Sequence, residues 1–294
     1  MQVMIVGARG FIGQRLALSL RAAGAAVIEA SSIDGSGIDA ESGMFSPGFR
    51  IAEKVDAIVY LAQSPHYRRV PEFAAHVMAV NTYSAVQLAA AASTAGVKRF
   101  IYASTGNVYE PAFGPIPEDA PLRRDNWYAL SKVHAEEALE LFGDRLDITA
   151  VRLFSVYGPG QTARLIPNLV DAVKEGREIT IERAPGEQSN EGMQFSLCFI
   201  DDVIGILQRL IATHGPAKLN IASDEIVSIG RIASTIGALL GRTPIFKQSD
   251  SARPFNLIAD ISLLKRTFMP EFTPFRIGMS KILEHTSDAR SGKQ

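Results

Sequence analysis

The 294-residue chain carries 30 Lys and Arg against 31 Asp and Glu, a formal net charge of −1 with His neutral, and 47% of its residues are apolar. That balance excludes the basic surface that nucleic acid or an acidic membrane would ask for, and it leaves enough apolar mass for one large α/β domain or two modest ones. The single cysteine, Cys198, excludes an internal disulfide framework and thiolate metal clusters; the five His are scattered without ligand spacing, so no metal is expected.

The chain opens on MQVMIVGARGFIG, where Met leads straight into an apolar strand and a glycine turn. The basic lead and cleavage site of a secretory signal are missing, and no uninterrupted apolar window of membrane-spanning length follows. A soluble, cytoplasmic protein with no membrane partner is expected. After strand QVMIV come helix FIGQRLALSLRAAG, strand AAVIEA, strand DAIVYLA, a long helix from about Pro71 to Gly96, strand RFIYAS, a helix over 126–142 and strand DITAVRLF. This strand–helix alternation predicts an α/β fold with a doubly wound parallel sheet of the Rossmann type. Past VYGPG (156–160) the pattern changes. Helix LIPNLVDAVKEG, strand EITIE and the polar loop APGEQSNEGMQ lead to SLCFIDDVIGILQRLIATHG, which returns to the sheet. KLNIAS, helix IGRIASTIGALLG and SARPFNLIADISLLKRTF follow. The expected organisation is a dinucleotide-binding unit over 1–159 plus about 196–215, a smaller α/β C-terminal substrate lobe over 160–195 and 216–285, and a flexible polar tail over 286–294.

Gly7, Gly10 and Gly13 stand between the first strand and the first helix. A dinucleotide site needs glycine there, because the turn is tight and the backbone must approach a pyrophosphate that rests on the helix N-terminus. The strand–turn–helix context supports that reading over a plain turn. The second strand ends on Ser31 and Ser32, with no carboxylate to repel a 2′-phosphate, and Arg9 in the turn is placed to pair with one. The cofactor is therefore expected to be NAD(P), with NADP favoured over NAD.

Tyr128 and Lys132 sit four residues apart near the start of helix 126–142, which puts both polar ends on one face. A free Tyr titrates near pH 10, and acting as a base near neutrality takes a shift worth roughly 4 kcal/mol. An ammonium about 4 Å away at an effective dielectric of 20 supplies energy of that order, with a smaller contribution from the helix N-terminus.

Together these motifs carry a family resemblance. GARGFIG, YLAQ (60–63), Asn81, ASTGNVYE (103–110), YALSK (128–132), VRLFSVYGP (151–159), FIDDV (199–203), LNIAS (219–223) and RPFNLIADIS (253–262) recur in this order through most of the chain. The sequence resembles extended short-chain dehydrogenases/reductases of the NAD-dependent epimerase/dehydratase family, which act on nucleotide sugars. The resemblance implies a catalytic set of Thr105, Tyr128 and Lys132, with Tyr128 as acid/base. It implies cofactor contacts at Gly7, Arg9, Gly10, Phe11, Ile12, Gly13, Ser31, Asp39, Leu61, Ala62, Gln63, Asn81 and Phe154, besides Tyr128 and Lys132. Substrate contacts are implied at Ser155 and Arg253, with Ser104 as the reserve hydroxyl. Two helices resemble those that build a homodimer in this family.

Departures narrow the chemistry. Gly106 and Asn107 stand where sugar 4,6-dehydratases keep acids, so dehydration is not expected. Ser155 replaces the family's usual Asn, and MQFSLC lacks the usual phosphate-binding Arg. What remains is hydride movement at one sugar carbinol, C4 by resemblance, in an epimerase or a 4-ketoreductase. Two other readings stay open: an NADPH-dependent ketoreductase of a non-nucleotide carbonyl substrate, and a non-catalytic dinucleotide sensor.

Overall fold

The computed structural model describes residues 1–32, 36–51, 54–186 and 191–291, with side chains through 285. The first half builds β1 (Gln2–Val6), α1 (Phe11–Ala22), β2 (Ala26–Ala30), β3 (Ala57–Tyr60), α2 (Ala74–Met78), α3 (Ser84–Ala95), β4 (Arg99–Thr105), α4 (Trp127–Glu140) and β5 (Asp147–Leu153). The second half adds β6 (Val156–Tyr157), α5 (Leu165–Glu175), β7 (Glu178–Arg183), β8 (Gln194–Ser196), β9 (Cys198–Phe199), α6 (Ile200–Ala212) and β10 (Lys218–Ile221). It closes with β11 (Ile226–Ser228), α7 (Ile229–Leu240), β12 (Ile245–Ala252), α8 (Ser262–Phe268) and α9 (Phe275–Ser291).

A six-stranded sheet in the order β10-β5-β4-β3-β1-β2 forms the centre, with every pairing parallel. Its strands are apolar on both faces because both are covered. Val3, Ile5, Val59 and Ile101 pack into one core with Leu16 and Leu20 of α1 and Leu207 of α6. Met4, Ile58, Tyr60 and Phe100 pack into the other with Leu88 and Ala89 of α3 and Leu139 of α4. The order reverses between β1 and β3, and the carboxyl ends of strands at such a switch point form the crevice where α/β folds bind ligands.

Three differences from the sequence expectation have physical causes. The long helix of 71–96 is interrupted by a π turn at Ala79–Tyr83 between α2 and α3. Such a turn points carbonyls away from the regular ladder, and here the hydroxyls of Tyr60 and Tyr102 donate to the carbonyls of Val80 and Asn81. The segment KLNI, assigned above to the second lobe, is instead β10 at the sheet edge, where Leu219 and Ile221 are fully buried. Exposed, polar β12 pairs in parallel with β7, and no alternating apolar pattern announces it. Residues 292–294 of the expected tail lie outside the described residues.

Candidate active site

The carboxyl ends of β1, β3 and β4 meet at the crevice. Gly7 follows β1 with φ +84, and a Cβ there would lie 2.8 Å from the Ala62 nitrogen and 3.0 Å from the Leu61 carbonyl carbon. At Gly13 a Cβ would lie 2.3 Å from the Gly7 oxygen, so helix and strand pack as closely as backbone allows. Gly10 caps α1 without a side-chain hydrogen bond, and the first N–H groups of a helix then point outward with the positive end of its dipole. Phe11 and Ile12 are half-buried at that start and Arg9 is exposed on the turn.

Asn126 starts α4, its side chain accepting from the Ala129 N–H at 2.9 Å. That cap fixes Tyr128 in the first turn, aimed at the end of β4. The half-buried Tyr128 donates its hydroxyl to Gln63 Oε1 at 3.3 Å, and the Thr105 hydroxyl accepts from the Asn107 N–H at 3.2 Å. One turn on, Lys132 is buried, donates to the Ala103 carbonyl at 2.8 Å and lies 4.8 Å from the centre of the Tyr102 ring. Behind them Asn81, fully buried in the π turn, accepts from the Ser64 N–H at 3.2 Å and donates to Ser131 Oγ at 2.9 Å. Ser131 in turn donates to the Tyr128 carbonyl at 2.8 Å. Asn81 is therefore a brace between the β3 loop and α4.

The electrostatics run opposite to the sequence expectation. Desolvation pushes the Tyr128 phenol up to about 12, against weaker downward pulls from the nearby Thr105 side chain and the Arg164 charge. Burial likewise brings Lys132 down to about 7, with Glu136 pulling it partly back. A Coulomb sum between two charged groups leaves out the cost of taking either from water, and here that cost dominates. Near neutral pH the phenol keeps its proton.

The remaining expected residues have surroundings of their own, and one of them leaves the crevice. Side chains alternate across a strand, so Ser104 faces away from Thr105, and its hydroxyl donates to Glu136. Glu136 pairs with fully buried Arg152 at 2.6 Å, and Arg152 also donates to the Tyr109 hydroxyl at 2.7 Å. Ser104 thus belongs to a structural network rather than to the crevice. Arg253 is buried, donating to Asn256 Oδ1 at 3.1 Å with its guanidinium 5.9 Å from the Phe113 ring. Asp39 is exposed and accepts from the Ser42 N–H and hydroxyl at 2.8 and 2.7 Å, which hold its carboxyl below the usual range. Buried Ser31 follows β2, its N–H donating to Ser36 Oγ at 3.2 Å. Phe154 is fully buried, where a Cβ on Gly106 would meet its ring at 2.9 Å. Half-buried Ser155 has φ +39, a conformation that Asn tolerates better than Ser.

Sequence reasoning missed Tyr67 and Arg68. The Tyr67 ring lies 5.2 Å from that of Tyr128, and its hydroxyl accepts from Arg164. The cluster HYRR (66–69), in the loop that follows the switch-point strand, was the available signal.

The model of the NAD-dependent epimerase/dehydratase family matches residues 3–222. The chain belongs to that family. Among its members, a dTDP-4-dehydro-6-deoxy-D-allose reductase from Streptomyces bikiniensis is 26% identical over 313 residues, covering 95% of this chain and 94% of the relative. A UDP-glucose 4-epimerase from Mycolicibacterium smegmatis is 28% identical over 270 residues, covering 82% and 83%. Among solved structures, MoeE5 in complex with UDP-glucuronic acid and NAD superposes with a TM-score of 0.80 at 26% identity, covering 98% of this chain and 100% of that one. The epimerase/dehydratase family comprises enzymes, and this chain is one. Among the described residues no helix is long and apolar enough to cross a membrane.

Proposed function

We propose that the chain is an NAD(P)-dependent nucleotide-sugar oxidoreductase that moves a hydride at a sugar carbon, C4, and runs chiefly as a 4-ketoreductase. What supports this is the half-buried Tyr128 hydroxyl at the switch-point crevice, donating to Gln63 Oε1 one helical turn before buried Lys132. The similarity along nearly the whole chain to a dTDP-4-dehydro-6-deoxy-D-allose reductase favours the reductive direction. A phenol that holds its proton is a donor, which is what the oxygen of a carbonyl under reduction requires. NAD(P)H, when bound, supplies the hydride. Thr105 orients the substrate oxygen, Tyr128 delivers the proton, and Lys132 fixes the floor of the site through Ala103. Gly7, Gly10, Gly13 and the α1 N-terminus cradle the pyrophosphate, while Leu61 and Ala62 let backbone approach the cofactor. Any cofactor contact by Phe154 is through its backbone. Arg9, and Ser31 in place of a carboxylate directly after β2, favour NADP over NAD. Ser155 and Arg253 are the proposed nucleotide-sugar contacts, Asp39 the adenosine contact, and 160–195 with 222–285 the substrate lobe.

Gly106 and Asn107 follow Thr105 and offer no acid, which supports exclusion of 4,6-dehydration. Tyr83, Trp127 and Leu141 are exposed apolar residues around α3 and α4, consistent with a cytoplasmic homodimer formed through those helices. A 4-epimerase is the second reading, favoured by the similarity to a UDP-glucose 4-epimerase. Purified protein incubated with NADH or NADPH and a panel of 4-keto nucleotide sugars separates the two. Net cofactor oxidation is the expected result, and inversion of nucleotide sugars without net consumption would transfer the assignment to the epimerase. Cofactor titrations test the preference: NADP should bind more tightly than NAD, and Arg9→Ala should narrow the gap.

A further inference from the structure

Beside Tyr128 lies a concentration of positive charge that the reaction described above does not use. Arg164 donates to the Tyr67 hydroxyl, and its guanidinium carbon lies 5.3 Å from the centre of that ring. The guanidinium carbon of Arg68 is likewise 5.3 Å from the same ring centre. Tyr67 in turn packs on Tyr128, with 5.2 Å between ring centres. Nearby arginines are neutralised: Arg69 by Glu72, Arg123 by Asp125 and Arg124 by Glu137. Among the described residues, no carboxylate is within ion-pair distance of Arg68 or Arg164. Ala163, directly before Arg164, takes φ +51, a left-handed conformation unfavourable for a residue with a Cβ. The chain accepts that cost where it turns Arg164 toward Tyr67.

We propose that Arg164, with Arg68 against the same Tyr67 ring, recognises a carboxylate carried by the sugar next to its reacting carbon, so that the preferred substrates are nucleotide-linked uronic acids. This rests on the nucleotide-sugar reading of the site. A planar guanidinium fork matches a carboxylate with two parallel hydrogen bonds. Position favours the sugar's own carboxylate over the diphosphate. In a pyranose held with C4 at Tyr128, the carboxylate on C5 adjoins the reacting carbon, whereas the diphosphate leaves from C1 across the ring. Arg164 holds the Tyr67 hydroxyl, and the Tyr67 ring packs on that of Tyr128, which places Arg164 on the C4 side.

Calorimetric titration of the intact protein in the presence of NAD, with UDP-glucuronate, UDP-glucose and UDP as probes, tests this without relying on turnover. Wild type should bind UDP-glucuronate about tenfold or more tighter than UDP-glucose, the scale of one or two charge-assisted hydrogen bonds. Arg164→Met should erase that preference while leaving UDP-glucose and UDP within about twofold, and Arg164→Lys should restore only part of it. Arg164 is exposed, so the variants are expected to fold, and matching melting curves would verify it. Equal binding of the two sugars by wild type, or an unchanged preference in Arg164→Met, overturns the inference and leaves the enzyme assignment standing. Equal weakening of all three probes reassigns Arg164 to the diphosphate and also overturns it. Failure of wild type to bind any probe while retaining NAD would remove the nucleotide-sugar reading and this inference with it.

Discussion

Tyr128 and Lys132 share one face of α4, and desolvation dominates the titration of each. Their positions were legible in the sequence, because a four-residue spacing on a helix fixes a shared face. Their protonation was not, because burial is a property of the surrounding fold. The consequence can be measured. Lys132 titrates at about 7 in the folded chain, below the ordinary 10.5. Between those values the unfolded chain binds a proton that the folded chain does not, so this group's contribution to stability rises with pH from about 7 toward 10.5. Below that window both states are protonated and the full burial cost remains. Lys132→Met removes the titration and leaves the Ala103 carbonyl without its donor, a pH-independent loss of about 1–3 kcal/mol. The melting temperature of wild type minus that of the variant should therefore climb between pH 7 and pH 10 and stay level below pH 7; a flat difference throughout would refute the assignment.

At the level of elements, the glycine turn and the first strand–helix pairs were readable because each follows a local rule: apolar period, a glycine where backbone meets backbone, a strand before and a helix after. The π turn was hidden. Its stability comes from two phenols on β3 and β4 that reach across to its carbonyls, and no periodicity in residues 71–96 announces them. β12 escaped for a related reason, since it is exposed along its length. Where the local rule holds, it predicts a sharp contrast. Gly13→Ala would place a Cβ 2.3 Å from the Gly7 oxygen and 2.8 Å from Ala8, and overpacking of backbone against backbone costs about 1–3 kcal/mol or more. Gly114→Ala meets nothing within 4 Å and should stay within about 0.5 kcal/mol of wild type. Urea midpoints of the two variants provide the comparison, with the Gly13 variant also expected to lose cofactor affinity.

Across the whole molecule, the crevice is held in register by a buried network joining β4, α4, β5 and β10. Arg152 pairs with Glu136, donates to Tyr109 and to the Glu118 carbonyl, and Tyr109 donates to Asn220. The structural character of Arg152 could be read from its place in a strand, but Glu136 could not be told from a surface glutamate. Glu136→Gln leaves a buried guanidinium uncompensated and should cost about 3–5 kcal/mol, read as a fall in the unfolding midpoint; a change under about 1 kcal/mol would mean the pair is not buried as described. The account as a whole depends on Tyr128 giving its proton to a sugar oxygen while a hydride arrives at the same carbon. The most direct test follows deuterium from nicotinamide-labelled NADPH or NADH into a 4-keto nucleotide sugar by NMR. Wild type should place the label at C4, and Tyr128→Phe should bind cofactor normally yet transfer label about a hundredfold or more slowly. Label at another carbon, or transfer by the Phe variant at the wild-type rate, would contradict it.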